Sequence, residues 1–258
     1  MTQNAITHKA LLHKRLFPSF RLQRPKVQAV SVLGLGLLTG LLMAPAIAPA
    51  KNPPAPQTGS RKKPPTQKNV PGQFDFYVLA LSWSPDYCAA RRDPQQCGRS
   101  LGFVLHGLWP QYERGWPANC TQEAFDRKMM KQFPDLYPSS KLYSHEWEKH
   151  GTCSGLTQVQ YHQLSQQLKT QLTIPKRYDR PTKPFRTTLT ELKQDFTTVN
   201  PGMTEASFAP VCSGSGRFFQ ELRVCYGKNG KPGTCSAELL KNSQRSCGQP
   251  NFLIRSVR

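Results

Sequence analysis

All eight cysteines of this 258-residue chain fall between Cys88 and Cys247, and that confinement limits the fold more than any other feature. Cys88, Cys97, Cys120, Cys153, Cys212, Cys225, Cys235 and Cys247 form an even set. None of them stands in the close pairs that a zinc site uses. An even set behind an export signal calls for disulfides, an oxidising compartment and a small stapled domain. Spacing alone leaves the pairing open.

The rest of the chain sorts around that domain. Residues 1–50 carry six Lys/Arg and no Asp/Glu, and Ala29 to Ala50 is uncharged and apolar. A basic leader, an apolar run and the triplets Ala44-Pro45-Ala46 and Ala48-Pro49-Ala50 read as a signal peptide. The alternative is a retained membrane anchor, although Pro45 and Pro49 shorten any spanning helix. Residues 51–72 hold Lys51, Arg61, Lys62, Lys63 and Lys68 among six prolines, a basic Pro-rich disordered linker suited to weak adsorption on anionic surfaces. Residues 73–258 are left, of a size normal for one domain. It holds 24 Lys/Arg against 15 Asp/Glu, a net +9, as suits a protein that handles polyanions.

Strand and helix signals alternate along the domain. Phe74 to Trp83 is aromatic and apolar and predicts a buried strand. Gly102 to Leu108 predicts a second, with Gly107 and Pro110 forcing a turn. Thr121 predicts a helix cap, with Phe125, Met129 and Phe133 on one face and Pro134 as the stop. Ser144 predicts the cap of a short helix with Glu146 and Glu148 in its first turn. Thr157-x-x-Gln160 and Thr188-x-x-Glu191 resemble capping boxes ahead of apolar stripes. Strands return at Ser207 to Cys212 and Phe218 to Tyr226. The sum is an α+β domain, a central antiparallel sheet packed against several helices.

Two segments carry chemistry. Phe103 to Pro110 contains His106. His145-Glu146-Trp147-Glu148-Lys149-His150-Gly151-Thr152-Cys153 contains two imidazoles, an ammonium and carboxylates. On a helix, Glu146 shares a face with His150, and His145 with Lys149. Gly151 would leave room beside the imidazole for a substrate backbone. Two histidines of ordinary pKa near 6.5 can serve as base and acid in cleaving a phosphodiester. A lysine suits the charge of the phosphorane, and a carboxylate can position and tune either partner. DNA lacks the 2′-hydroxyl that such a base would activate, so the set selects RNA. Trp109 is a candidate base-stacking platform or a core residue, whereas Tyr112 and Trp116 read as packing and loop residues. His8, His13 and His162 read as incidental.

The segments 103–110 and 145–153 resemble the two active-site signatures of the ribonuclease T2 family, and Tyr77 to Trp83 is similar to that family's first core strand. The resemblance runs over about 75–250. It implies an α+β fold, no metal and RNA cleavage; with the leader and composition, the expectation is a secreted or periplasmic monomer that acts on single-stranded RNA without a cofactor or stable protein partner. Cleavage would pass through 2′,3′-cyclic phosphates to 3′-phosphate ends. It further implies His150 as general base and His106 as general acid. Lys149 and Glu146 would stabilise the transition state, and His145 would bind phosphate. Cys120–Cys153 is similar to the family's shared disulfide. Proximity and family likeness favour Cys88–Cys97, Cys212–Cys247 and Cys225–Cys235. Ser82 departs from the glutamine that many eukaryotic members carry, a change that bears on base preference. With one imidazole protonated and the other neutral, activity should favour mildly acidic pH.

Two other readings compete. A zinc peptidase needs histidines four apart on one helix face, and His145 and His150 are five apart. A non-catalytic, basic polyanion-binding module satisfies the charge but leaves both motifs unexplained.

Overall fold

The computed structural model describes residues 69–258. The signal peptide assigned to 1–50 and the linker up to residue 68 lie outside the described residues. The remainder of the linker does not hang free. Gly72 N donates to Cys153 O at 2.9 Å and Lys228 Nζ donates to Gly72 O at 2.9 Å, so Gly72 is bonded to the domain.

Twelve elements follow in order: β1 (Phe76–Trp83), α1 (Ser84–Ala90), β2 (Phe103–Gln111), α2 (Lys128–Gln132), α3 (Ser140–Lys149), α4 (Gln158–Gln171), β3 (Phe185–Thr187), α5 (Leu189–Val199), β4 (Phe208–Ser213), β5 (Phe218–Gly227), α6 (Ala237–Ser246) and β6 (Phe252–Ile254). The strands form one sheet in the order β2-β1-β5-β6-β3, with β4 also paired to β5. Pairing is antiparallel except where Phe218 of β5 meets Leu253 of β6 in parallel. The fold is thus α+β, as the element pattern predicts.

Strand alternation divides the sheet into two faces. Tyr77, Leu79, Leu81 and Trp83 of β1 join the main core with Trp147 of α3, Tyr161 and Leu168 of α4, and Leu192 and Phe196 of α5. Phe76 and Val78 face the other way, into a smaller cluster with Cys225, Cys235 and Trp109, against which Leu239 and Leu240 of α6 pack. Both capping boxes form: Thr157 and Thr188 accept from the amides of Gln160 and Glu191, whose side chains reach back. The disulfides are Cys88–Cys97, Cys120–Cys153, Cys212–Cys247 and Cys225–Cys235, the partners that the resemblance implies.

Three local expectations need correction. The helix from Thr121 shrinks to Lys128–Gln132. Side chains from elsewhere claim the backbone of its first half. Gln158 takes Asp126 N and Ala124 O, and Trp147 Nε1 donates to Glu123 O. The helix carrying the second motif starts at Ser140, not Ser144, because Gln95 Oε1 accepts from both the amide and the hydroxyl of Ser140. Glu146 therefore sits in mid-helix rather than in the first turn. Finally, no turn forms at Gly107. The strand runs on to Gln111, and it tolerates Pro110 because β2 ends the sheet and needs no amide on its outer side.

Candidate active site

A β-bulge starts the site. Along β1 and β2, Ala80 faces Gly107 but Leu81 faces Leu105, which leaves His106 as the surplus residue. Such an insertion reverses the alternation of the strand and re-aims the extra side chain. Leu105 and Leu108 consequently both point into the main core, while His106 and Trp109 are only partly buried and emerge on the opposite face.

Here β2 meets α3. Trp109 Nε1 donates to Glu146 Oε2 at 2.7 Å. The indole lies between two imidazoles, with ring centres 5.1 Å from His106 and 5.3 Å from His150. His106, Trp109, His145, Glu146, Lys149 and His150 line one cleft of about 240 Å³. The two motifs thus converge although 34 residues of chain, 111–144, separate them. His150 closes α3, and its amide donates to Glu146 O. Its Nδ1 is buried without a partner, which leaves Nε2 as the nitrogen open to the cleft. His145 is exposed at the rim, with Nε2 4.0 Å from Glu146 Oε1. Lys149 is half-buried and lines the same cleft.

Burial and charge push these groups apart in acidity. Burial, with Lys149, His145 and His106 nearby, lowers His150 to about 3. Burial also works to lower His106, but the hydrogen bond and charge of Glu221, with the charge of Glu146, outweigh it and raise the ring above its ordinary value. Burial pushes Glu146 up to about 7 against the pull of His106, Trp109 and Lys149. Burial, then the charges of Lys149 and His106, lower His145. At neutral pH one ring is therefore biased toward the cation and its counterpart toward the neutral base.

Two assignments from the sequence change role. Gly151 makes no room for substrate. A Cβ there would lie 2.4 Å from Trp147 Cε3 and 3.1 Å from Tyr161 Cδ1, so this glycine serves core packing. Trp116 lies in a loop, as read, but that loop carries it 57% exposed to the cleft wall, whereas Tyr112 is buried packing. His162 is a core residue among Phe133, Tyr143 and Tyr161.

Sequence reasoning missed Glu221 and Arg223 of β5. Glu221 Oε2 meets His106 Nδ1 at 2.7 Å, and Arg223 Nε donates to Glu221 Oε1 at 2.9 Å. Residues two apart on a strand share a face, so a carboxylate and a guanidinium flanking Leu222 were a signal. Only the strand pairing shows what they face. Gly107 was also missed: a Cβ there would lie 1.9 Å from Glu146 Oε2. Among the described residues no group of three or more His, Cys, Asp or Glu side chains is arranged to hold a metal ion.

The family model described as the ribonuclease T2 family matches residues 74–235. A protein from Aeromonas hydrophila described as a ribonuclease is 44% identical over 198 residues, covering 74% of this chain and 90% of its own length. Intracellular ribonuclease LX of Solanum lycopersicum is 41% identical over 39% of this chain and 50% of its own. Ribonuclease MC1 from bitter gourd seeds shares the fold, with a TM-score of 0.56 at 22% identity over 69% of this chain and 99% of that one. On the family match and the 44% identity, this chain belongs to the ribonuclease T2 family.

Proposed function

We propose that this chain is an exported endoribonuclease that cleaves single-stranded RNA by transphosphorylation, with His150 as base and His106 as acid. Family membership makes it an RNA-cleaving enzyme. The observation that carries the finer reading is the opposite bias of two imidazoles flanking Trp109 on one cleft.

His150 Nε2 takes the proton of the 2′-hydroxyl as O2′ attacks phosphorus. The P–O5′ bond breaks, and His106 Nε2 delivers its proton to the departing oxygen. The product is a 2′,3′-cyclic phosphate. Water then opens it with the roles exchanged: neutral His106 accepts a proton from water, and His150 returns one to O2′, leaving a 3′-phosphate. Lys149 supplies fixed positive charge to the phosphorane. Glu146 carries a proton part of the time near neutrality. Its Oε1 is buried without a hydrogen-bond partner on a residue that lines the cleft, and its role here is to donate to a phosphoryl oxygen of bound RNA. His145, exposed on the rim, would bind the phosphate. These steps need neither metal nor cofactor.

Export to the periplasm or medium belongs to the same proposal. It rests on the leader of residues 1–50 and on four disulfides that require an oxidising compartment. Among the described residues no helix is long and apolar enough to cross a membrane. The catalytic unit would act as a monomer.

The test is the identity of the ends left on a defined oligoribonucleotide in excess chelator. Cyclic phosphate followed by 3′-phosphate, with a 5′-hydroxyl on the other fragment, is expected. 5′-Phosphate ends, or loss of cleavage with chelator, would overturn the proposal, and RNA retardation without cleavage would leave only a polyanion-binding module. His150→Phe should abolish cyclic-phosphate formation with the disulfide-bonded fold intact.

A further inference from the structure

The two ring nitrogens of His106 meet different carboxylates. Nε2 lies 3.9 Å from Glu146 Oε1, while Nδ1 is hydrogen-bonded to Glu221 Oε2 at 2.7 Å. We propose that Glu221, braced by Ser82 and Arg223, is a positioning residue for this reaction: it accepts the Nδ1 proton of His106, so that Nε2 is the nitrogen that carries the proton to the leaving oxygen. The inference rests on the assignment of His106 as the acid.

Three observations support it. His106 is the surplus residue of a bulge on the last strand of the sheet, and its side chain is 36% exposed. The Trp109 ring packs against only one side of this imidazole, and the bond to Glu221 adds a directional restraint at Nδ1. Glu221 is itself held tightly. It is buried, Ser82 Oγ donates to its Oε2 at 3.3 Å, and Arg223 Nε donates to its Oε1 at 2.9 Å. Ser82 and Glu221 are register partners on adjacent strands, so the backbone ladder itself sets this carboxylate beside the bulge.

The third observation is charge. The groups facing His106 are Glu221 and Arg223 from β5, Glu146 and His145 from α3, and His150 at its end. Burial works to raise Glu221, yet its bonds to His106 and Arg223 hold it well below the usual carboxylate range, whereas Glu146 titrates near neutrality. Glu221 is therefore the carboxylate that stays ionised beside the ring, fixing its tautomer and sustaining the cation. Arg223 opposes that charge and, through its guanidinium 5.4 Å from the Trp109 ring, links the bracket to the cleft.

The experiment compares Glu221→Gln with His106→Ala on two substrates: a dinucleotide, and a nucleoside 3′-phosphate ester with an aryl leaving group that departs without protonation. On the dinucleotide, Glu221→Gln should lower kcat on the order of 10- to 100-fold, part of what a general acid contributes. KM should change little, and the alkaline limb of kcat/KM should move to lower pH. On the aryl ester both variants should approach the native rate. If His106→Ala is equally impaired on both substrates, the acid assignment itself fails. If His106→Ala shows the leaving-group pattern but Glu221→Gln keeps the native rate and alkaline limb, or loses equally on both substrates, the positioning role is overturned on its own. Should Glu221→Gln not fold, Arg223→Gln decides: removing the opposing charge must carry the alkaline limb upward, and a limb that stays or falls refutes the proposal.

Discussion

Gly107→Ala is a one-carbon change that should disable the enzyme without replacing any residue assigned to the chemistry. The added Cβ would lie 1.9 Å from Glu146 Oε2, 2.3 Å from Trp109 Nε1 and 2.7 Å from the Glu146 carboxyl carbon. Each must retreat by a few tenths of an ångström to more than 1 Å. Neither has anywhere to go. Glu146 is fully buried, and Trp109 is flanked by the rings of His106 and His150. Losing the charge-assisted bond costs about 1.5–3 kcal/mol. Overpacking adds about 1–3 kcal/mol. At about 2–4 °C per kcal/mol for a domain of this size, Tm should fall by roughly 10 °C. Because the indole spaces the two imidazoles, a shift near 1 Å should lower kcat on the order of 100-fold. Thermal denaturation and steady-state cleavage of a dinucleotide measure both effects. Gly102→Ala is the control, since its Cβ would sit 3.4 Å from Trp83 Cζ3, an ordinary contact. A Gly107→Ala enzyme with native kcat and native Tm would refute the argument that this glycine seats the carboxylate.

Two further outcomes follow from the same geometry. Trp116→Ala removes an exposed platform on the cleft wall, and at about 1–3 kcal/mol for a stacked base it should raise KM roughly tenfold or more with little change in Tm; a fall in kcat at constant KM would contradict this. The fold holds His150 neutral down to about 3, whereas the unfolded chain binds that proton below about 6.5, so this residue's contribution to stability is lost as pH falls through that window. His150→Phe should therefore lose less Tm than the native protein between pH 7 and pH 4, the remaining slope coming from the other shifted groups that both proteins share, among them His162 and His145, lowered by burial. Parallel Tm profiles for the two proteins would show the argument to be wrong.

What the sequence made legible was what neighbouring residues decide among themselves. The capping boxes at Thr157 and Thr188 need only residues three apart, and both helices begin where those residues place them. The two motifs identify six residues of the cleft because each motif is contiguous. Most of the failures lie where a distant group intervenes. Gln158 and Trp147 capture the backbone of 123–126, and Gln95 moves the start of α3. Glycine and proline at 107 and 110 suggest a turn, yet cross-strand pairing carries the chain straight through. Glu221 lies 115 residues from His106, and no local pattern announces that β5 will bring it there. Gly151 reads as an opening for substrate only until Trp147 folds back over it.

The bulge at His106 has a second effect, on colloidal behaviour. A rim strand offers unmatched backbone groups to any passing chain, and proteins guard such rims by irregularity and by proline. On β2 the surplus residue breaks the regular spacing that a guest strand would need, and Pro110 withholds an amide four residues later. Regularising this strand to gain rigidity would therefore do double harm: it would turn His106 toward the interior and restore the even spacing that a guest strand needs.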